Sequence, residues 1–588
     1  MRIAGRLRKL VGAPLRRKLT REARRFLAST AECRRLQHET LRRLIGLNAD
    51  SEFGRRFRLR EVRGPQDLRA RLPITNYDFY ADAIERLKAG QPEALLGPKN
   101  RLLMFSLTSG TTSASKYIPV TSRFLRDYRR GWQIWGIQAL NDHPETHVRD
   151  IVQLNSDYRR FRTEAGIPCG NISGLVAALQ RRIVRSMYAV PHQIVKITDP
   201  NAKYYAALRF AVADRDVGMI VTANPGTLVR LAILADQHKE DLIRDIHDGT
   251  LSERQEITRE VRESLAQHIR ARRPQRARQL EQIVEQTGHL YPKDIWPEDT
   301  LIAVWTGGSC GAYLGQLRRY FGAMPIRDHG LSASEGRMTI PIRDMCPEGI
   351  LEIGTHFFEF VPEAEYGRPD PTVLEAHELT EGENYYILLT TSSGFYRYDI
   401  CDVVQCTGFY QTTPLLKFLH KGSHISSVTG EKLAESQAVE AVTAALDELE
   451  LRVRQFTLAP VWGEPPGYRL LIEEEDAPSG GALARLEKAV DEQLQEVNCE
   501  YREKRVTGRL APVQVMLLRS GAWEALFQRR TQRAGGSVEQ YKHPCLLPDL
   551  ESTRELLQDF SATSPRTTDS SHSIVPATPA QSVPTARG

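Results

Sequence analysis

The chain has 588 residues, of which 41% are hydrophobic and 26% are charged. This length exceeds that of one compact domain and the composition supports a sizeable core, which excludes a fibrous or wholly disordered protein. The net charge of +7 does not indicate nucleic-acid binding, because ten Lys or Arg and a single acid lie in residues 1–26 and the rest of the chain is nearly neutral.

Residues 1–26 are predicted to form a basic N-terminal arm. The arm either contacts an anionic membrane surface weakly, or carries an organelle-targeting signal, or is a solvated arginine-rich helix whose apolar stripe is interrupted by Pro14. It lacks the apolar core of a secretory signal, and no stretch of the chain reaches the roughly 20 apolar residues of a membrane span. The default expectation is a cytoplasmic protein, and eight cysteines without a CxxC pair favour reduced thiols.

Residues 27–420 are predicted to form a large α/β domain. Leucines recur at helical spacing over residues 27–48. From about residue 75, short apolar runs alternate with helical patterns; residues 301–306 form one such run, which is followed by Gly-Gly-Ser and an amphipathic helix. Strand, glycine turn and helix in this order are typical of an α/β domain.

Residues 421–550 are predicted to form a small α+β domain. The pattern indicates a helix over 435–449, two strands joined by the turn Gly463–Gly467, a helix from about 483 to 497 and a further strand in the run Val-Gln-Val-Met-Leu-Leu. Residues 561–588 are mostly Ser, Thr, Pro and Ala and are predicted to be disordered, because they have almost no large apolar groups to bury.

The strongest local signal is the run Phe105-Ser-Leu-Thr-Ser-Gly-Thr-Thr-Ser-Ala-Ser-Lys116. It combines a glycine, several hydroxyl groups and a lysine, so that backbone and side-chain donors can approach phosphate oxygens. It is not a Walker loop, because the glycine-to-lysine spacing and the Lys-Ser/Thr ending are absent. The alternative is a Ser/Thr-rich turn between a strand and a helix.

A second signal consists of the glycine turn Thr306-Gly-Gly-Ser309 and, about twenty residues later, the run Asp328-His-Gly-Leu-Ser-Ala-Ser-Glu335. Small residues keep the backbone open beside the carboxylate of Glu335, which can coordinate Mg²⁺ on a triphosphate. The alternative for an acid after a Ser-rich turn is a helix N-cap.

The third signal is the run Phe395-Tyr-Arg-Tyr-Asp-Ile-Cys-Asp-Val-Val404, in which Asp402 ends a predicted strand. A carboxylate at this place can accept hydrogen bonds from both ribose hydroxyls of a nucleotide. The alternative is a loop acid that pairs with Arg397.

The order and spacing of these three signals, ahead of a small C-terminal domain, resemble the Gretchen Hagen three family of acyl acid amido synthetases, a branch of the adenylate-forming superfamily. The resemblance runs from about Gln37 to Pro548, and the three motifs together are far more specific than any one alone. It implies a large α/β adenylate-forming domain with a mobile α+β C-terminal domain, and a ligase that uses ATP and Mg²⁺.

By position, the resemblance assigns nucleotide-binding residues and two catalytic lysines. Glu335 is implied to hold Mg²⁺, Asp402 to bind the ribose, and Lys421 to precede the hinge of the mobile domain. Lys432 and Lys542 are implied to be brought to the nucleotide and the reacting carboxylate. The implied nucleotide-binding residues are Thr108, Ser109, Gly110, Thr111, Thr112, Lys116, Gly308, Ser334, Glu335, Asp402 and Lys421.

Three positions depart from the family pattern. The phosphate loop is one residue short and has Ala114 where a second glycine is common. Cys401 replaces the glycine before Asp402, which costs little unless the backbone there needs a positive φ. Lys421 replaces an arginine, which keeps the charge but loses a planar contact with two donors.

The resemblance implies two half-reactions. The carboxylate of an acid attacks the α-phosphorus of MgATP to give acyl-AMP and pyrophosphate, and an amine, usually an amino acid in this family, then attacks the activated carbonyl. No protein nucleophile is implied, and Cys169 and Cys310 lie in no catalytic pattern. A ligase with a thiol acceptor such as coenzyme A, and a non-catalytic nucleotide-binding scaffold, stay open as alternatives.

The acid pocket is expected among residues 130–190. The turn Gly170–Gly174 either touches the acyl substrate or is a plain surface loop, and Trp132 and Trp135 are interpreted as core residues of a helix. The sequence names neither the acid nor the amine, because specificity depends on the shape of the pocket, and it leaves the oligomeric state open.

Overall fold

The computed structural model describes residues 3–108, 116–154, 157–180, 182–269, 271–422, 425–429, 431–506, 508–533 and 541–560. The middle of the predicted phosphate loop, residues 109–115, and the tail predicted to be disordered, residues 561–588, lie outside these ranges. The described residues form a large α/β part followed by a smaller α+β part.

The helices of the described residues are spread over the whole chain. In chain order they are α1 Ile3–Ser29, α2 Cys33–Asn48, α3 Glu52–Arg56, α4 Pro65–Arg71, α5 Ala81–Lys88, α6 Ser122–Asp142, α7 Ile172–Ala178, α8 Arg182–Arg185, α9 Pro200–Val212, α10 Pro225–Gln237, α11 Lys239–Asp248, α12 Arg259–Ile269, α13 Pro274–Thr287, α14 Pro292–Ile295, α15 Leu314–Phe321, α16 Glu435–Glu448, α17 Ala482–Val497, α18 Cys499–Val506, α19 Ala522–Arg533 and α20 Leu550–Phe560.

The strands begin after the first helices. In chain order they are β1 Leu102–Thr108, β2 Lys116–Thr121, β3 Asp150–Gln153, β4 Phe161–Arg162, β5 Pro168–Gly170, β6 Val217–Val221, β7 Leu301–Val304, β8 Ile326–Asp328, β9 Ser332–Ala333, β10 Gly336–Arg337, β11 Thr339–Ile340, β12 Gly349–Leu351, β13 Phe357–Pro362, β14 Leu374–Glu375, β15 Asn384–Thr390, β16 Tyr398–Tyr410, β17 Thr413–Lys421, β18 Ile425–Ser426, β19 Leu433–Ala434, β20 Thr457–Val461, β21 Gly467–Glu473 and β22 Gln514–Leu518.

The basic arm is the first part of α1, which continues through Pro14 to Ser29. Ala23 and Phe26 are buried against apolar residues of α6. The predicted boundary at residue 26 therefore falls inside a helix, and the helix predicted over 27–48 is the end of α1 followed by α2. Among the described helices, none combines the length and apolarity that crossing a membrane requires. Membrane-surface contact by the arm stays a prediction.

A parallel sheet with the strand order β3-β6-β7-β8 forms part of the large unit. Every residue of β7 is buried, because apolar residues of α9 and α10 share a core cluster with this sheet. Parallel strands end at one edge of a sheet, so the segments that follow β7 and β8 lie side by side. The backbone N–H of Thr306 donates a hydrogen bond of 2.5 Å to the Asp328 carboxylate across this edge.

The remaining strands of the large part form two further sheets and the two-stranded hairpin of β9 and β10. One has the order β2-β1-β5-β4, and the other is an antiparallel sheet with the order β11-β12-β17-β16-β15-β13-β14. Both contribute to one core cluster, in which Phe105 of β1 and Phe358 of β13 are fully buried. The register of β16 and β17 places Asp402 opposite Lys421.

The smaller part is built on a sheet with the order β20-β21-β22, which α16 and α17 cover. Its helices and these strands lie where the amphipathic patterns predict them. Helix α20 continues this part to Phe560, past residue 550. The two parts contact each other, since α16 packs on residues 308–313 and Arg230 pairs with Glu524 at 2.9 Å.

Candidate active site

The first predicted motif lies in a β-hairpin. The register of β1 and β2 pairs Thr108 with Lys116, so the motif connects two antiparallel strands and not, as the alternative had it, a strand and a helix. Thr108 ends β1 and Lys116 begins β2. The Lys116 ammonium lies 5.6 Å from the centre of the Tyr77 ring. The predicted residues Ser109, Gly110, Thr111 and Thr112 lie outside the described residues.

The second motif forms the short hairpin of β9 and β10, with Ser334 and Glu335 at its turn. The helix N-cap alternative is therefore wrong. The Ser106 hydroxyl of β1 donates a hydrogen bond of 3.0 Å to the Ser334 hydroxyl, which joins this hairpin to the first one. Glu335 is 8% exposed. Burial raises the pKa of its carboxyl, while the nearby charges of Lys421 and Lys116 act in the opposite direction.

The third motif lies in β16, where Asp402 is buried and faces Lys421 of β17. The Lys421 ammonium donates to the Asp402 carboxylate at 2.5 Å and to the carbonyl of Ile400 at 3.0 Å. Burial disfavours the charge on Lys421, but the attraction of Asp402 outweighs it and the pKa of Lys421 is raised. Arg397 pairs with Glu359 instead, at 3.2 Å, so the alternative pairing of Asp402 with Arg397 is wrong.

Cys401, immediately before Asp402, has a φ of +58°. A positive φ makes a cysteine at this position less favourable than the glycine of the family pattern, because the left-handed conformation brings a Cβ too close to the backbone. The bend presents both Asp399 and Asp402 near Lys421, as the backbone N–H of Cys401 donates at 2.6 Å to the Asp399 carboxylate.

The glycine turn after β7 approaches β17 closely. Gly308 has a φ of +56°, and a Cβ at this position would lie 2.8 Å from the carbonyl oxygen of Leu419 and 2.9 Å from the ring of Phe418. Only glycine fits such a position without displacing the backbone. Gly308 thus lets the edge of the parallel sheet meet the strand that carries Lys421.

The smaller part contributes Lys542 to the same region. Its ammonium lies 4.9 Å from the centre of the Trp305 ring and 5.9 Å from that of Phe418. These rings flank the glycine turn, and a cation over an aromatic face is held there by the ring quadrupole. Asn224 of the large part also donates to the backbone carbonyl of Tyr541, next to Lys542.

The structure does not bring Lys432 to this cluster. Its side chain is exposed, and in the described part of the chain its ammonium makes no hydrogen bond or ion pair. Its neighbour Glu431 is fully buried, and the carboxylate accepts hydrogen bonds from the backbone N–H groups of Val428 and Thr429. The segment is thus anchored within the smaller part through Glu431, while the Lys432 side chain is exposed.

The predicted residues that the structure does bring together are Lys116, Ser334, Glu335, Asp402 and Lys421, with Gly308 and Lys542 beside them. They come from six segments of the chain, of which only β16 and β17 are consecutive. Two carboxylates and three ammonium groups at the ends of strands can bind the phosphates, metal and ribose of a nucleotide.

Sequence reasoning missed a group of buried polar and aromatic residues next to the Glu335 hairpin. Arg337, on β10, lies over the ring of Trp132 at 4.2 Å, and the His329 ring packs against both Trp132 and Trp135. Trp132 and Trp135 were interpreted as core residues of a helix, and α6 does bury Trp135. The only signal in the sequence was that Arg337 follows Glu335 by two residues.

The turn Gly170–Gly174 spans the end of β5 and the start of α7, and it is mostly buried. A cavity of about 650 Å³ borders the end of α7 at Ala177 and Ala178. Its walls include part of the range predicted for the acid pocket, but none of the predicted nucleotide residues. Among the charged side chains of the wall the basic ones outnumber the acidic ones: Arg159, Arg185, Lys196, Arg209 and Arg273, against Asp157 and Asp214.

The cysteines are all free, as predicted. Cys169 and Cys310 are buried, and burial raises the pKa of each thiol, to about 11 for Cys310. A thiol that stays protonated at neutral pH is a poor nucleophile, so both cysteines are structural.

Three family models match the chain in succession. The GH3 family N-terminal domain matches residues 22–326, the GH3 family central domain matches residues 349–421, and the GH3 family C-terminal domain matches residues 436–551. Together these ranges cover most of the sequence.

Curated relatives and solved structures match over a similar extent. Indole-3-acetic acid-amido synthetase GH3.3 from Arabidopsis thaliana is 24% identical over 540 residues, which cover 87% of this chain and 88% of that protein. Jasmonoyl--L-amino acid synthetase GH3.5 from Oryza sativa subsp. japonica is 24% identical over 551 residues, which cover 88% and 93%. The structure of AtGH3.15 acyl acid amido synthetase in complex with 2,4-DB matches with a TM-score of 0.80 at 21% identity, covering 92% of this chain and 96% of that one.

Proposed function

Since this chain belongs to the GH3 family, we propose that it is an ATP-dependent ligase that adenylates a carboxylic acid and transfers the acyl group to an amino acid. The observation that carries the proposal is the cluster of Lys116, Glu335, Asp402 and Lys421, which the fold assembles from four separate strands and turns. The relatives named as amido synthetases support the same reaction class.

In the first half-reaction, a carboxylate oxygen of the acid bonds to the α-phosphorus of ATP, and the bond to the β-phosphate bridging oxygen breaks to release pyrophosphate. Positioning and charge neutralisation supply the catalysis. Lys116 and the hydroxyl-rich loop bind phosphate oxygens, and Asp402 accepts hydrogen bonds from the ribose. To do so, Asp402 exchanges part of its contact with Lys421 for the ribose hydroxyls.

Mg²⁺ fits this site through Glu335. Among the described residues no group of three or more His, Cys, Asp or Glu side chains is arranged to hold a metal ion. A single carboxylate suits Mg²⁺, which is bound in nucleotide sites by one or two carboxylates together with phosphates and waters. Glu335 would hold the ion, which would supply neutralisation of the phosphate charge.

In the second half-reaction, the amine nitrogen bonds to the acyl carbon, the bond to AMP breaks, and the ammonium proton that remains is lost to solvent. Lys542, already above the glycine turn, neutralises the negative charge that develops on the acyl-AMP. We further propose that the smaller part moves about Lys421 and Gly422 between the half-reactions and that this motion is what delivers Lys432.

The test is ATP–pyrophosphate exchange with pools of carboxylic acids. A variant carrying Lys116→Ala and Glu335→Ala is expected to lose about 100-fold or more of the exchange rate, since one preorganised charge contact is worth about that much. The matched control is Lys488→Ala with Glu492→Ala, an exposed pair on α17 that removes the same charges. Amide formation with an amino acid, and none with coenzyme A, is the expected second step; absence of exchange with every pool, despite ATP binding, would overturn the proposal.

A further inference from the structure

The guanidinium of Arg337 is buried and only partly hydrogen-bonded. The residue is 2% exposed. Its Nη2 donates to the backbone carbonyl of His329, but Nε and Nη1 have no hydrogen-bond partner among the described residues. A buried cation with two unused nitrogens is costly, so a group of this kind requires an explanation.

Among the described residues no carboxylate pairs with the Arg337 guanidinium, although Asp328 and Glu352 favour its charge. Of the two nearest acids, Asp328 accepts from Thr306 and Gly330, and Glu352 accepts from Arg130 at 3.0 Å. Within the described ranges, Arg337 forms no ion pair. Burial lowers its pKa to about 10, which still leaves the guanidinium charged at neutral pH.

The surroundings are shaped to this side chain. A Cβ on Gly131 of α6 would lie 2.7 Å from the Arg337 Cδ, so glycine is needed for the arginine to pass the helix. The Trp132 ring stacks beneath the guanidinium at 4.2 Å. The buried His329 ring, edge-on to Trp132, also has an unpaired nitrogen, Nε2. We call Arg337, Trp132, Trp135 and His329 the arginine cage.

The arginine cage adjoins the reaction site. Arg337 and Glu335 belong to one hairpin and are two residues apart, which corresponds to about 7 Å of extended chain. The reacting carboxylate must lie near Lys116 and Glu335 to reach the α-phosphate. In the proposed complex, the far end of a small acyl body would be the part of the substrate that reaches the free nitrogens of Arg337.

We propose that Arg337 binds a second carboxylate of the acid substrate, so that the enzyme activates dicarboxylic acids whose apolar body lies against Trp132. The inference rests on the proposed adenylation. The second carboxylate supplies the missing partner, and an arginine is suited to it because its planar donors match carboxylate geometry. An acid with only one carboxyl group would leave the buried Arg337 guanidinium unpaired in the complex. A binding site built to pair with a polar group discriminates in this way against an analogue that lacks the group.

The test compares matched acids that share one body and differ by one carboxyl group. Benzoate with terephthalate and hexanoate with adipate are the core of a series of aromatic and straight-chain acids, assayed by ATP–pyrophosphate exchange. The wild-type enzyme is expected to favour the best diacid over its monoacid at least 100-fold in kcat/KM. Arg337→Met is expected to abolish or reverse that preference, mainly by raising the KM of the diacid.

Two variants separate this effect from a general loss of charge or of structure. Arg126→Met removes an exposed arginine on the same helix α6, and it is expected to leave the preference unchanged. Arg337→Lys keeps the charge and a similar volume but loses the planar donors, and it is expected to lower the preference at least 10-fold. Melting temperatures establish that each variant is folded.

The outcomes distinguish the inference from the proposed function. Exchange that favours monoacids, with the same preference in Arg337→Met, overturns the inference while adenylation stands. A diacid preference that Arg126→Met removes as strongly as Arg337→Met also overturns it, since a diffuse field would then be the cause. Exchange with no acid of the series or of wider pools removes the proposed function and the inference with it.

Discussion

Two buried arginines near the reaction site are held in opposite ways. Arg397, between β15 and β16, pairs with Glu359 at 3.2 Å, and Glu359 also pairs with Arg69 at 2.8 Å. The Arg397 guanidinium donates in addition to the backbone carbonyl of Leu72. Arg337, in the arginine cage, has a single backbone carbonyl and an aromatic face instead.

The comparison distinguishes an arginine with a structural role from an arginine that is available to bind a ligand. Around Arg397 a counter-charge within the protein, Glu359, pairs with the guanidinium, and the network holds β13 and the start of β16 to the N-terminal segment. Around Arg337 the charge is desolvated and, among the described residues, no carboxylate pairs with it directly, an arrangement in which a bound substrate can complete the pairing. A buried arginine is therefore interpreted from its nitrogen atoms: paired nitrogens indicate a structural role, and nitrogens without a hydrogen-bond partner indicate a ligand site.

The largest expected effect concerns stability. Arg397→Met leaves the carboxylate of Glu359, which is 1% exposed, with only one partner, and it is expected to lower the free energy of unfolding by about 3 kcal/mol. Arg337→Met removes an unpaired cation and is expected to change stability by less than about 1 kcal/mol, or to raise it. Urea unfolding followed by tryptophan fluorescence measures both.

Equal losses for Arg397→Met and Arg337→Met would contradict the comparison, because Arg337 would then have a stabilising partner within the protein. Glu359→Gln serves as the reciprocal control. It leaves Arg397 and Arg69 facing a neutral amide, and it is expected to destabilise as much as Arg397→Met does.

Much of the fold follows from the sequence, and the failures have physical causes. The sequence predicts α16, α17, β20, β21 and β22, because each has an amphipathic or alternating pattern, whereas the short helix α18 between them was not predicted. The hairpin of β9 and β10 was not, since two residues per strand give no periodicity. The connection after β1 was interpreted as leading to a helix or a nucleotide loop, because Lys116-Tyr-Ile-Pro is too short a run to reveal a second strand.

The candidate site residues were proposed from the resemblance, and physics alone predicts their convergence only in part. Glu335, Asp402 and Lys421 converge, but their contact depends on the register of β16 and β17, which the sequence pattern does not fix. The positive φ at Cys401 and the unpaired state of Arg337 depend on the folded backbone and on burial. Neither the positive φ nor the lack of a hydrogen-bond partner follows from the type of residue, so no sequence motif could have indicated them.

A medium effect is expected on acidification, through His329. Burial and the charge of Arg337 lower the pKa of His329 to about 3. The unfolded chain therefore takes up a proton at this residue below about pH 6.5, whereas the folded chain does not until about pH 3. This part of the stability is complete above pH 6.5 and falls by about 2 kcal/mol at pH 5.

The variant His329→Gln tests this value, since the amide does not titrate. The loss of stability between pH 7 and pH 5 is expected to be smaller in His329→Gln than in the wild type by about 2 kcal/mol. His543 is buried outside the arginine cage, with its pKa lowered to about 4, so His543→Gln provides a second histidine for comparison. If the free energy of unfolding had the same pH dependence in His329→Gln and the wild type, His329 would take up its proton at the same pH in the folded and the unfolded chain. That result would be incompatible with a buried position beside an unpaired Arg337.

The smallest expected effect concerns the backbone of β16, which is bent by positive φ angles at Arg397 and Cys401. Cys401→Gly removes the contact of a Cβ with the backbone, which costs about 1–2 kcal/mol in the wild type. Glycine also gives the unfolded chain more conformational entropy, which costs about 0.5–1 kcal/mol. The free energy of unfolding is therefore expected to rise by about 0.5–1 kcal/mol. Cys406→Gly is the matched control, since Cys406 lies in the same strand, is fully buried and has no positive φ, and the loss of its side chain is expected to destabilise. If Cys401→Gly and Cys406→Gly lowered the free energy of unfolding equally, the backbone at Cys401 would not be strained in solution. The region around Arg397 would then store no more backbone strain than the arginine cage around Arg337.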